Sequence, residues 1–136
     1  MPFKIVIAED RPIVIDGIKR LFNESADYGV VGEANTERVI ISVCTQLQPD
    51  FLVLDLNLGG KNSIDLIPEI KNRFPKLKIV IFSSYQTSVL IKKALALGVE
   101  AYLLKDATKK DWLEALASII DGKIYLSKSI RHVHKS

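Results

Sequence analysis

A single cysteine stands among the 136 residues, so no internal disulfide can form. No apolar run approaches the roughly 20 residues needed to cross a bilayer, and the opening MPFKIVIAED lacks a signal peptide's order of basic region, apolar stretch and small-residue cleavage site. These absences lead to the expectation of a cytoplasmic setting with no membrane attachment. Neither GxGxxG nor GxxxxGK[ST] occurs, which removes the glycine-rich loops of nucleotide- and flavin-binding proteins. No acidic residue follows Asp121, although Lys123, Lys128, Arg131 and Lys135 do. Residues 1–121 therefore hold 15 basic against 16 acidic side chains, a net of −1, and the overall +3 belongs to the tail. The folded part offers no basic footprint for a phosphate backbone.

What is present alternates in kind. Apolar runs rich in β-branched and aromatic residues recur at Phe3 to Ala8, Val30 to Ala34, Phe51 to Leu54, Ile79 to Phe82 and Ala101 to Leu104, and read as strands. Between them, helical spacing appears at Val14, Ile18, Leu21 and Phe22; at Val39, Val43 and Leu47; at Ile64, Ile67 and Ile70; from Val89 to Leu97; and at Leu113, Leu116 and Ile120. Strands that are continuously apolar are those covered by helices on both faces of a parallel sheet. The expectation is an α/β three-layer sandwich built from five strands and five helices over residues 1–121. Residues 122–136 show no sustained period and read as an extended basic linker or tail.

In such a sheet, ligands bind beyond the carboxyl ends of the strands. There the first strand ends in Glu9-Asp10, the third in Asp55, the fourth in Ser83-Ser84 and the fifth in Lys105. Taken singly, each has an ordinary explanation, because Asp after a strand forms turns or caps helices and Lys is usually solvated. Their convergence on one rim is harder to dismiss. Three close carboxylates repel one another unless a cation compensates, and Mg²⁺ suits hard oxygen ligands. Asp55 can then serve as a nucleophile toward phosphorus, with Lys105, the Ser83 hydroxyl and backbone N–H groups of residues 56–60 meeting the charge on the phosphoryl oxygens.

The motifs IVIAEDRP, FLVLDLNLGG, IVIFSS and AYLLKD together resemble the receiver domain of bacterial two-component response regulators, over about residues 3–121. The resemblance implies a flavodoxin-like (βα)5 fold with strand order 2-1-3-4-5. It implies that Asp55 accepts a phosphoryl group from a histidine kinase, and that Glu9, Asp10, Asp55 and the backbone carbonyl of Asn57 hold Mg²⁺, Glu9 through water. Lys105 would contact the phosphoryl group, while Ser83 and Tyr102 form the switch pair. A phosphorylation-dependent homodimer through the fourth helix, fifth strand and fifth helix is implied by the same likeness. The ED-x-P start, Lys-Asp ending and GKIYLS exit resemble the subfamily that precedes a LuxR-type helix-turn-helix domain. DNA would then be bound only by a C-terminal domain outside this chain, making residues 1–121 the receiver of a transcription regulator.

The chain departs from the commoner pattern at three places. Gly59 stands where proline is usual, Ser63 replaces a frequent glycine, and Asp106 follows Lys105 where many receivers carry proline and a cis bond, an isomer that costs a non-proline residue ~2.5–4 kcal/mol. Tyr85, two residues past Ser83, holds a position that in this family can hinder attacking water. Of the rival readings, a haloacid-dehalogenase-type phosphatase needs a second Asp two residues after the nucleophile, and Asn57 stands there. A phosphorylation-independent docking module is the remaining alternative. Cys44 and Trp112 read as core, and the His132-x-His134 pair lacks the further ligands of a structural metal site.

Overall fold

In the computed structural model, which describes residues 2–135, a parallel sheet carries helices on both faces. The chain runs β1 (Phe3–Ala8), α1 (Pro12–Phe22), β2 (Tyr28–Ala34), α2 (Glu37–Leu47) and β3 (Phe51–Leu54). A short hairpin of β4 (Asn57–Leu58) and β5 (Lys61–Asn62) comes next, then a 3-10 turn and α3 (Ile67–Arg73). The second half comprises β6 (Lys78–Ser83), α4 (Ser88–Ala96), β7 (Ala101–Leu104), α5 (Lys109–Ile120), β8 (Tyr125–Leu126), a second 3-10 turn and α6 (Arg131–Lys135).

Strand order is β2-β1-β3-β6-β7-β8, every neighbour parallel. The first five strands thus take the expected order 2-1-3-4-5, and β8 is a correction to the five-strand count. The segment read as an extended exit adds this sixth strand beside β7 and then turns back, burying Tyr125, Leu126, Ile130 and Val133. Its four apolar anchors are spread over nine residues of mixed strand, turn and helix, so no single period could reveal them.

Strand residues divide by parity. Val6, Leu52, Leu54, Ile79, Ile81, Tyr102 and Leu104 pack with Ile40, Cys44, Ile67, Ile70, Ile91 and Ala94 of α2, α3 and α4. The alternate residues, among them Ile5, Ile7, Val53, Val80, Phe82 and Leu103, meet Ile15, Ile18 and Phe22 of α1 and Trp112, Leu116 and Ile119 of α5. Two cores back to back on one sheet explain the continuous apolar strands. Cys44 is fully buried, which pushes its thiol up to about 11 and leaves it inert. Trp112 packs edge-on against Phe22 and tilted against Phe82, as core.

Local signals set the boundaries. Pro12 occupies the first turn of α1, where its missing N–H is not needed. Thr108 and Asp111 form a reciprocal capping box at α5, the Thr108 hydroxyl accepting from the Asp111 N–H at 3.2 Å and the Asp111 carboxylate from the Thr108 N–H at 2.9 Å. No described helix is long and apolar enough to cross a membrane.

Candidate functional site

The carboxyl ends of β1, β3, β6 and β7 meet at one rim. Ladder register fixes this: Ala8 lies opposite Leu54, Leu54 opposite Ile81, and Ser83 opposite Leu104, so Glu9, Asp55 and Lys105, each just past its strand, and Ser83, the last residue of β6, lie at the same edge. Carboxylate oxygens of Glu9, Asp10 and Asp55 lie within 4.8 Å of one another. Glu9 and Asp55 are buried and Asp10 is exposed. Beside them is a cavity of about 160 Å³ bordered by Asp10, Asp55, Asn57, Ser83, Tyr85 and Lys105. The residues expected at the site are thus gathered there, with Tyr102 linked to it through the Tyr85 carbonyl.

Lys105 is the central cation. Its Nζ donates to Glu9 Oε1 at 2.8 Å, stands 3.8 Å from Asp55 Oδ2, and lies 4.7 Å above the centre of the Phe82 ring. The other Glu9 oxygen, Oε2, accepts the backbone N–H groups of Asp10 (2.9 Å) and Arg11 (3.2 Å). Burial by itself would raise the Glu9 carboxyl, but the Lys105 ammonium, a hydrogen bond with Asp55 and the Arg11 N–H outweigh it and hold Glu9 at about 2. Asp55 goes the other way. Burial, reinforced by the neighbouring Glu9, pushes it up to about 6 despite the Asn57 N–H and Lys105. The acidic group is therefore short of positive charge, with one carboxylate compensated and the next not. A hard cation with oxygen ligands fits that donor set, and receiver domains generally bind Mg²⁺ at such a pocket.

The loop after Asp55 explains two of the departures in sequence. Gly59 and Gly60 have φ of +60° and +78°, which a two-residue hairpin turn requires and which glycine supplies without steric cost. Proline, locked near φ −65°, could not stand at Gly59 in this turn. The hairpin aims its donors inward: Gly59 N–H donates to Asp10 Oδ2 at 3.2 Å and Asn57 N–H to Asp55 Oδ1 at 3.1 Å. Ser63, fully buried, donates its hydroxyl to the Asp55 carbonyl at 2.6 Å and pins the Asp55 backbone. The Lys105–Asp106 bond is trans, as are all described peptide bonds.

Ser83 and Tyr102 are joined through Tyr85. The Ser83 hydroxyl accepts the Tyr85 N–H at 3.0 Å, and the Tyr102 hydroxyl donates to the Tyr85 carbonyl at 2.9 Å with its ring wholly buried. Sequence reasoning missed three contributors. Arg11 sets its guanidinium 3.5 Å from Glu9 Oε1, Phe82 underlies Lys105, and Ser63 tethers Asp55. The one available signal was position, since Arg11 and Phe82 directly adjoin strand-end residues. His132 is exposed, and the His134 side chain lies outside what is described.

Comparison with known proteins agrees with this geometry. A family model described as the response regulator receiver domain matches residues 5–117. The nitrate/nitrite response regulator protein NarL of Escherichia coli K12 is 33% identical over 132 residues, covering 97% of this chain and 61% of that protein. The transcriptional regulatory protein RcsB of Salmonella typhi is 31% identical over 129 residues, covering 93% and 60%. The chain thus spans about three-fifths of the relatives it matches. Among solved structures, the isolated REC domain of RcsB from Salmonella enterica serovar Typhimurium, with the phosphomimetic BeF3-, superposes with a TM-score of 0.89 at 29% identity over 98% of this chain and 99% of that one. A LuxR-family two-component response regulator from Aurantimonas sp. SI85-9A1 gives 0.88 at 28% identity, covering 97% and 94%. With its sheet order, its acidic rim and a family match over most of its length, the chain belongs to the response regulator receiver domains.

Proposed function

We propose that this receiver takes a phosphoryl group from the phosphohistidine of a sensor kinase onto Asp55, and that the resulting aspartyl phosphate switches a transcription-regulating output. The observation carrying the proposal is the uneven compensation of the acidic rim. Lys105 is held by Glu9 within 3.8 Å of Asp55, and Asp55 itself remains short of cations in a cavity large enough for a phosphoryl group. An Asp55 oxygen attacks phosphorus, the N–P bond breaks, and its electron pair stays with the departing imidazole, which takes a proton from solvent. With its carboxyl at about 6, Asp55 is ionised and nucleophilic near neutral pH.

Glu9, Asp10, Asp55 and the Asn57 carbonyl would hold Mg²⁺, Glu9 through water, and the ion when bound supplies positive charge against the phosphoryl oxygens. The chain's own residues do the rest. Lys105 moves from Glu9 toward the phosphoryl group, Ser83 offers its hydroxyl, and N–H groups of the hairpin stand ready as fixed donors. An apolar hollow of about 450 Å³ between α1 and α5 adjoins Lys105, with Ile13 almost fully exposed nearby, and suits a helix of the phosphodonor. RcsB dimers have been solved bound to DNA, and this chain covers 69% of that longer chain, which supports a DNA-binding domain as the output.

Incubation with Mg²⁺ and acetyl phosphate, then intact mass, tests the central claim. One phosphoryl group should appear on the wild type and none on Asp55→Asn. No addition, or equal addition to both, returns the chain to a docking role independent of phosphorylation.

A further inference from the structure

Arg11 stands where the start of a helix is poorly served by a cation. It is the N-cap of α1, its side chain caps no backbone N–H, and its charge lies at the positive end of the helix dipole. Serine, threonine, aspartate or asparagine would hold that end better. Burial does not explain the residue either, since its side chain is 57% exposed. The guanidinium is directed at the acidic rim instead: Nη2 stands 3.5 Å from Glu9 Oε1, at the outer limit of hydrogen bonding, and Arg11 borders the cavity beside Asp55. A residue that breaks a local rule without local gain points to a role elsewhere.

Glu9 supplies that role. Its side chain is 2% exposed, and its oxygens are served differently. Oε2 accepts the backbone N–H groups of Asp10 and Arg11, whereas Oε1 accepts the Lys105 ammonium at 2.8 Å with the Arg11 guanidinium standing off on the same oxygen. A phosphoryl group on Asp55 would draw that ammonium, now 3.8 Å from the Asp55 carboxylate, off Glu9. A buried carboxylate that loses its cation is strongly destabilised. Glu9 would face a metal ion only through water, which does not replace the direct hydrogen bond from Lys105.

We infer that Arg11 is a positioning residue that takes over Glu9 Oε1 when Lys105 turns to the phosphoryl group, so that the buried carboxylate keeps a cation throughout. This rests on Asp55 being the phosphoacceptor. The movement is small. Closing from 3.5 Å to a charged hydrogen bond of about 2.8 Å takes roughly 0.7 Å. An exposed side chain covers that distance easily, and its backbone is already anchored by the Arg11 N–H on Glu9 Oε2. One cation replaces another at a single oxygen, and Lys105 is released without stranding the charge it leaves.

Isothermal titration calorimetry in saturating Mg²⁺ tests this, with beryllofluoride standing in for the phosphoryl group on Asp55. Arg11→Gln should weaken beryllofluoride binding about tenfold, the scale of one charged hydrogen bond, and Arg11→Lys should recover most of the loss. Mg²⁺ alone should bind Arg11→Gln at least as tightly as wild type, because a positive charge beside the rim has gone. Arg11→Asn, which can cap α1, should unfold at a higher temperature than wild type yet lose as much beryllofluoride affinity, a divergence that a purely structural role does not produce. In a crystal structure of the beryllofluoride complex, Arg11 should hydrogen-bond Glu9 Oε1, with Lys105 gone from it. Unchanged beryllofluoride affinity in Arg11→Gln, an equal loss of Mg²⁺ affinity, or Lys105 still seated on Glu9 in the complex overturns the handover. A wild type that binds no beryllofluoride overturns the phosphoacceptor reading together with the handover, which distinguishes the two failures.

Discussion

Asp55→Asn should stabilise the metal-free protein at pH 8. Asp55 is only 5% exposed, and its carboxyl is pushed from an ordinary 3.8 up to about 6, first by burial and then by Glu9. Raising a carboxyl that far makes its ionisation in the folded state about 3 kcal/mol harder than in the unfolded chain. The folded pKa is raised, so the contribution is fully present below pH 3.8 and is lost as the pH climbs through about 6. Glu9 has the opposite sign. Held at about 2 against an ordinary 4.5, its contribution is present above pH 4.5 and is lost only on acidification toward 2, outside the window that Asp55 governs.

Asparagine cannot ionise, and its side-chain oxygen can still accept the Asn57 N–H, so the variant escapes the penalty with little local loss. At pH 8 both carboxylates are ionised and share no hydrogen bond, and an amide only approximates the neutral acid, so the gain is about 1.5 to 3 kcal/mol. At this chain length that raises Tm by about 5 to 10 °C. Thermal unfolding monitored by circular dichroism, in chelator, should show that gap at pH 8 and only about a third of it at pH 4.5, where the unfolded carboxyl is mostly ionised and the folded one is not. Added Mg²⁺ should then raise the wild-type Tm at pH 8 more than that of the variant, because a bound cation relieves the same repulsion. An equal gap at both pH values, or a wild type more stable than the variant in chelator at pH 8, would refute the account of the acidic rim.

Two further outcomes are expected. Ile130→Ala, at a position 2% exposed, should cost about 2 to 4 kcal/mol in urea unfolding, and a cost below about 0.5 kcal/mol would mean the exit segment is not packed as described. Tyr85→Ala, which opens the mouth of the cavity to water, should shorten the aspartyl phosphate lifetime roughly threefold, the rate equivalent of under 1 kcal/mol; an unchanged lifetime counts against Tyr85 as a water shield.

The five main strands were legible because burial on both faces makes each an uninterrupted apolar run, a pattern independent of distant partners. The rim was legible for a related reason: once strand ends are known, parallel topology places the residues just beyond them at one edge. The exit strand was not, since two residues carry no period and Tyr125-Leu126 acquires meaning only from the free edge of β7. Gly59 looks anomalous beside the proline of related sequences, whereas its φ belongs to a hairpin that a pairwise motif comparison does not display. Arg11, Phe82 and Ser63 act through contacts with residues of other segments or across a turn, information that spacing along the chain does not hold.

The parity of β7 carries a consequence of its own. Ala101 and Leu103 rest on the α1 and α5 layer, Tyr102 and Leu104 on the α4 layer, and Lys105 leans over Phe82 on the α5 side. Four consecutive side chains thus report in turn to opposite halves of the molecule. A shift of this strand by a fraction of an ångström would be divided between two separately packed cores, so that any displacement begun at the rim would reach both outer surfaces at once.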